Sequence, residues 1–485
     1  MSDPKLKVAS KFTATAIFWL VIISVVALVE RLLVILLYQP VAYSDTPSYR
    51  RLADTVLQGF TSYDGTRTPG YPVFLALVGN DQRVWLAQLL LGFIATLLLF
   101  YIGWKLTDKP WFGGLIALAH TLNLGQLFFE SNLLTESLTT FLLIAIMAGM
   151  LAWLLYPKVH SIGVAFLLGL LSALTLLVRP LFIFLPFFLL AFLWLEPRIF
   201  RQPARSLWVG APAAENSSTE KHNLPWRFGF AFLVPVVLLL GAWLTFMHKN
   251  FNQWSLTTMT GYHLVQHTGS YFEYVPDEYA SLRDTYIKYR DTHIAEFGTQ
   301  TNAIWDAIPE MSQVSGYSFY ALSRVLTRIS IQLILKHPLL YLKNTLSGWW
   351  MFWRVPFYWL ADALRYSWMA GGIKLAIQVE RIGVFFINLV FIFASIYFAL
   401  IEIISGIRHQ ASPVRIRNSR PSVYAFLWML LGTIWITSIL QTLLDHGDNP
   451  RFLVPLQSLV LLWVGAFILQ LSLQKLTAPS NSIQP

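Results

Sequence analysis

The 485-residue chain contains no cysteine. That excludes a disulfide framework, a thiolate nucleophile and any cysteine-ligated metal site. Charge is scarce too. Asp, Glu, Lys and Arg together make up 12% of the residues, against roughly 25% in an ordinary soluble domain. With 56% of the chain hydrophobic, this deficit excludes a water-soluble globular protein and points to an all-α polytopic membrane protein. A Gly-rich phosphate loop, an internal repeat and a metalloprotease motif are all missing. The net charge of +10 raises nucleic acid as a partner. Its distribution argues against that, because the cations gather in short loops between apolar segments.

What is present is a series of apolar runs. They fall near 15–38, 84–103, 111–127, 137–156, 161–178, 181–196, 228–247, 382–405, 423–443 and 452–472, which predicts about ten transmembrane helices. The runs are continuous rather than alternating, so helices are the spanning element. The first run, with Lys5, Lys7 and Lys11 ahead of it, resembles a signal peptide. It is long enough for about 36 Å of helix and lacks a small-residue cleavage site, so a retained span is expected.

Alternate loops differ in charge. Lys105 and Lys109, then Lys158, then Arg198, Arg201, Arg205, Lys221 and Arg227, then Arg408, Arg415, Arg417 and Arg420, then Lys475 fall on one side. By the positive-inside rule that side is cytoplasmic, with both termini. The loop at 128–136 has no cation, and Arg179 and Arg451 are the lone cations of two others. The inside loop 197–227 reads as flexible, and its Asn216-Ser217-Ser218 sequon is set aside as cytoplasmic. Two outer loops are larger. The first, 39–83, carries an amphipathic stretch over Tyr49, Leu52, Ala53, Val56 and Leu57 that reads as an interfacial helix. Thr46 is expected to cap it, Pro47 to open it and Gly59 to end it. The second, 248–380, is long enough for an extracytoplasmic, mostly helical domain, with an aromatic belt from Trp349 to Trp368. The expected organisation is therefore 1–247, 248–380 and 381–485.

Candidate chemistry gathers on the outer side. Asp45, just beyond the first span, is placed to deprotonate or orient a hydroxyl at the bilayer surface; the competing role is helix capping, which Thr46 can take instead. Asp64 reads as a turn residue. Glu130 and Glu136 stand at the membrane boundary of the fourth span, where an unused carboxylate is costly, although Glu136 could simply favour the helix dipole. Arg179 and Arg451 could each clamp a phosphate or snorkel to lipid headgroups. Lys249 and Arg67 are cations of the same kind. Glu30-Arg31 reads as an ion pair or helix contact inside the first span. His263 and His267 have the i, i+4 spacing of metal ligands but no accompanying carboxylate motif.

Several of these stretches resemble the GT-C superfamily of membrane glycosyltransferases, in its polyprenyl-phosphate-sugar-dependent branch, which includes protein O-mannosyltransferases and aminoarabinose transferases. Arg31 followed by Ser44-Asp45 and Tyr49 looks like the family's acidic first loop. Arg67-Thr68-Pro69-Gly70-Tyr71-Pro72 is similar to its Pro-Tyr-Pro start of the next helix. Leu134-Thr135-Glu136 is similar to its second acidic site. Val178-Arg179-Pro180 and Arg451-Phe452-Leu453-Val454-Pro455 look like its later arginine signatures, and His337-Pro338-Leu339-Leu340-Tyr341 is a further likeness. The likeness spans the first 200 residues and then short islands. Asp45-Thr46 replaces the adjacent Asp-Glu pair of some mannosyltransferases, which puts a protein acceptor in doubt.

The resemblance implies a bacterial inner-membrane enzyme with an extracytoplasmic site. It would move a sugar, with inversion, from a polyprenyl-phosphate donor to a lipid, glycan or protein hydroxyl. Asp45 and Glu136 are then the catalytic candidates. Arg67, Tyr71, Glu130, Arg179, Lys249 and Arg451 are the substrate-binding candidates. No dedicated metal motif is seen, and a divalent cation as cofactor stays open because the family holds both kinds of member. Competing readings are a flippase for lipid-linked sugars, and a polysaccharide ligase or polymerase using a diphosphate-linked donor.

Overall fold

The computed structural model describes residues 4–199, 226–407, 421–447 and 449–477. The basic stretches 200–225 and 408–420, the sequon, and the cations they carry lie outside these residues. Eighteen α-helices follow one another among the described residues: α1 (Pro4–Leu37), α2 (Thr46–Leu57), α3 (Gly70–Val78), α4 (Asp81–Thr107), α5 (Pro110–Thr121), α6 (Leu124–Ser131), α7 (Glu136–Leu155), α8 (Ile162–Val178), α9 (Phe184–Ile199), α10 (Trp226–Phe251), α11 (Thr260–Thr268), α12 (Ala280–Phe297), α13 (Ala303–Ser315), α14 (Phe319–Lys336), α15 (Pro338–Phe352), α16 (Ala370–Ile407), α17 (Pro421–Leu444) and α18 (Gln457–Thr477).

Among the described residues, 7 helices are long and apolar enough to cross a membrane, or up to 8 if the bent pair α5–α6 is one span. The expected ten runs are all helical, but α8 and α9 are shorter apolar helices. The α5–α6 break falls at Leu122-Asn123, where the Asn123 side chain accepts from the Gln126 amide and starts a new helix at 55° to the old one.

The main core forms where α4, α5, α7, α8, α9, α10, α16, α17 and α18 meet. Hydroxyls inside these helices are satisfied locally. Thr139, Thr140, Ser172, Thr433 and Thr437 each donate to the carbonyl four residues back, which is how polar side chains are accommodated within a spanning helix. Glycine permits close approaches: a Cβ on Gly113 of α5 would run into the Phe100 carbonyl of α4, the small-residue contact common between spanning helices.

Arg31, in α1, pairs with Glu130 of α6 at 2.7 Å, and also donates to the Leu89 carbonyl of α4 and to Thr121 of α5. Its neighbour Glu30 accepts from Thr121 instead. The Glu30-Arg31 dipeptide is thus a contact between helices, not a pair closed on itself. Helices α11 to α14 have a separate core built on Tyr262, Phe272, Tyr286, Met311, Leu326 and Ile329.

Candidate active site

Two chain turns meet at one end of the bundle. The α1–α2 connection lies against the α6–α7 connection through a short parallel pairing. Val41 donates to the Ser131 carbonyl and accepts from the Leu133 amide, each at 2.9 Å. The Thr46 hydroxyl adds a bond to the Leu133 carbonyl at 3.0 Å. That use of Thr46 changes the expected cap. Asp45 occupies the N-cap position of α2, yet neither it nor Thr46 makes a side-chain cap bond. Gly59 ends α2 as expected, at φ 71°, with its amide on the Val56 carbonyl.

The Asp45 carboxylate is taken by two guanidiniums. Arg67 Nη2 donates to Oδ1 at 2.7 Å and Arg451 Nη1 to Oδ2 at 2.8 Å. Arg451 also pairs with Glu136 through Nε, and Arg179 Nη2 reaches the same Glu136 oxygen at 3.0 Å. Glu136 is fully buried and sits behind the arginines. Burial pushes the Asp45 carboxyl up, but Arg67 and Arg451 outweigh it and hold the group below its ordinary value.

Local sequence explains these placements. Pro180 disfavours helical geometry at the residue before it; Arg179 is extended at φ −137°, ψ 110°, and α8 stops there. The Arg179 guanidinium lies 4.4 Å from the Phe452 ring centre, and that of Arg67 lies 5.3 Å from the Tyr49 ring centre. Asp64 makes the expected turn, accepting from the Thr66 amide and hydroxyl.

Asp45, Tyr49, Arg67, Arg179, Arg451 and Phe452 line a cavity of about 360 Å³. Thr260, His263 and Leu264 of α11 line it too, with Gln441, Leu444 and Asp445 at the end of α17. Five of the eight candidates therefore form one cluster: four reach the cavity and Glu136 backs it. The other three lie elsewhere. Tyr71 is buried behind Tyr49, its ring 5.0 Å away, and donates to Gln88. Gln88 in turn donates to the carbonyls of Glu130 and Asn132, so Tyr71 supports the loop that leads to Glu136. Glu130 is engaged with Arg31. Lys249 is exposed near the end of α10. His263 and His267 do not form a ligand pair: His263 meets Asp445, while the His267 ring lies 5.3 Å from those of His446 and Tyr341. Among the described residues, no group of three or more His, Asp or Glu is placed to hold a metal ion.

Asp445 was missed in the sequence. It sits in a short polar loop beside Arg451, and no spacing rule links it to a histidine 182 residues earlier.

No protein-family model and no curated protein sequence matches this chain. Among solved structures, an archaeal oligosaccharyltransferase, AglB from Archaeoglobus fulgidus in complex with an inhibitory peptide and a dolichol-phosphate, aligns with a TM-score of 0.43 and 12% sequence identity. The alignment covers 95% of this chain and 50% of the other, so the chain spans about half the length of that neighbour. A superposition this loose carries no function across, and the site is read on its own geometry.

Proposed function

We propose that the chain is a GT-C-type membrane glycosyltransferase that moves a sugar, with inversion, from a polyprenyl-phosphate donor to an acceptor hydroxyl on the extracytoplasmic side of a bacterial inner membrane. The observation that carries this reading is the cluster around the cavity. Within the cluster, three guanidiniums against two carboxylates leave an excess of one positive charge. Glu136 fixes Arg179 and Arg451 beside each other, so both forks are set before a ligand arrives. A phosphate meeting them gains charge-assisted bonds without reordering long side chains.

A lipid phosphate is a good leaving group and needs charge stabilisation more than a proton. Arg179 and Arg451 supply that charge where the bond to the anomeric carbon breaks. Asp45 lies on the same wall. Each of its oxygens keeps a lone pair beyond the one given to an arginine, enough to accept an acceptor hydroxyl and aim it. Glu136 acts through the arginines, as does the Tyr71–Gln88 support behind it. The apolar part of the wall, Tyr49, Leu181, Ile183, Leu256 and Leu264, suits the first isoprene units. Residues 248–380, which include α11, would shape acceptor choice.

The test is binding of undecaprenyl phosphate, the leaving group, to the purified full-length protein. Arg179→Gln should weaken it by at least tenfold, in line with about 1.5–3 kcal/mol per charged hydrogen bond. Arg179→Lys should recover part of the loss, because an ammonium cannot bond in the planar paired manner. Unchanged affinity in Arg179→Gln would reduce the arginines to structural anchors and remove the basis of the proposal.

A further inference from the structure

The cavity has a second ionisable group that the arginine cluster does not use. His263, in the middle of α11, faces Asp445, the first residue after α17. His263 Nδ1 and Asp445 Oδ2 are 3.1 Å apart. The other Asp445 oxygen accepts the Gly447 amide at 3.0 Å, so both oxygens have a partner and the carboxylate is fixed. The Asp445 side chain is 12% exposed, whereas that of His263 is 34% exposed, and both residues line the cavity. The Trp305 ring stands edge-on to the imidazole at 5.7 Å and limits its swing. Asp445 is the ionisable group in contact with the ring; Asp45, Arg67, Arg179 and Arg451 line the same cavity, and His446, next to Asp445, meets His267 one turn along α11.

A carboxylate that accepts Nδ1–H fixes the tautomer and leaves the lone pair on Nε2. Asp45 is differently placed. Both of its oxygens answer to guanidiniums that keep it ionised and weaken it as a base, so it can aim a hydroxyl better than it can take the proton.

We propose that His263 is the proton acceptor of the transfer and that Asp445 is its positioning residue. This rests on reading the cavity as a glycosyl-transfer site. In the step, the hydroxyl proton of the acceptor passes to His263 Nε2 while the hydroxyl oxygen bonds to the anomeric carbon. The bond from that carbon to the phosphate oxygen breaks, and its electron pair leaves with the lipid phosphate toward Arg179 and Arg451. The imidazolium then returns its proton to water. The division of labour is that the arginine wall takes the leaving group, Asp45 aims the nucleophile and the His263–Asp445 wall removes the proton.

The experiment uses the full-length protein in proteoliposomes of bacterial envelope lipid, with a panel of undecaprenyl-phosphate hexoses and pentoses radiolabelled in the sugar. Turnover and undecaprenyl-phosphate affinity are measured separately. His263→Gln should lower kcat by about 100-fold, the usual scale for a lost general base, with lipid-phosphate affinity unchanged. The acidic limb of the pH–rate profile should disappear. Asp445→Asn should lower kcat in the same direction with affinity again kept. Added imidazole should restore part of the activity of His263→Ala, a rescue that a structural role would not give. If His263→Gln turns over within threefold of wild type while Asp45→Asn is inactive, His263 is not the base and glycosyl transfer stands. If wild type neither binds undecaprenyl phosphate nor turns over any panel member, the underlying reading fails and this one with it.

Discussion

Arg451 is the residue on which the site converges. Its guanidinium holds Asp45 through one nitrogen and Glu136 through another, joining segments 406 and 315 residues apart in the chain. Removing one partner of a buried pair leaves the other uncompensated, at a cost of about 3–5 kcal/mol. Glu136→Gln strands Arg179 beside Arg451, whereas Arg451→Gln leaves Glu136 with Arg179 and Asp45 with Arg67; Glu136→Gln should therefore lower thermal stability more than Arg451→Gln does. Equal losses in the two variants would mean that Arg179 does not compensate Glu136.

Asp45 gives a pH test at the same scale. Its folded pKa lies below its ordinary value of 3.8. Its contribution to stability is therefore fully present above that value and is lost as pH falls through the lower folded value. The difference in melting temperature between wild type and Asp45→Asn should stay constant from pH 7 to about 5 and shrink only below about 4. A difference that fades between pH 7 and 5 would mean that burial, not the arginines, sets this carboxyl.

Among the elements, short apolar helices and sharp stops do the positioning. Val178-Arg179-Pro180 ends α8 so that the arginine faces the cavity. Gly70 opens α3 where a Cβ would lie 2.5 Å from the Leu177 carbonyl and the Val178 amide. Gly70→Ala should push α3 off the end of α8, at a cost of about 1–3 kcal/mol, and lower transfer by shifting Arg67 relative to Arg179. Normal stability together with normal transfer would show that this contact does not set the site. Much at this scale was legible beforehand. The apolar runs, the Pro-bounded arginine loops and the Gly59 stop each depend on residues within a few positions of one another. The use of Thr46 was not legible, because its partner Leu133 lies 87 residues away. For the same reason the pairing of Glu130 with Arg31, 99 residues apart, left Glu130 among the substrate-binding candidates.

For the whole molecule, the proposed sidedness rests on alternating loop charge. The absence of cysteine makes it directly testable. Ser281, at the start of α12, and Lys158, between α7 and α8, are both exposed. In intact cells, a membrane-impermeant thiol reagent should label Ser281→Cys and not Lys158→Cys. The reverse pattern would put the cavity on the cytoplasmic side. Arg179 and Arg451 were legible as the lone cations of two short loops, and Asp45 and Glu136 as carboxylates just outside or at the boundary of a span. Their assembly into one wall, and the meeting of α11 with the end of α17, arise only from long-range packing that no local spacing encodes.

If this cavity transfers a sugar from a lipid phosphate and Asp45 aims the nucleophile, removing that carboxylate must cost transfer and spare lipid-phosphate binding. The most direct test is sugar transfer from the radiolabelled undecaprenyl-phosphate panel by Asp45→Asn, with undecaprenyl-phosphate binding measured in the same preparation. Transfer should fall by about 100-fold, the scale expected when a reacting group is mispositioned, with binding kept within a few-fold of wild type. Transfer by Asp45→Asn at the wild-type rate would remove Asp45 from the chemistry of the site.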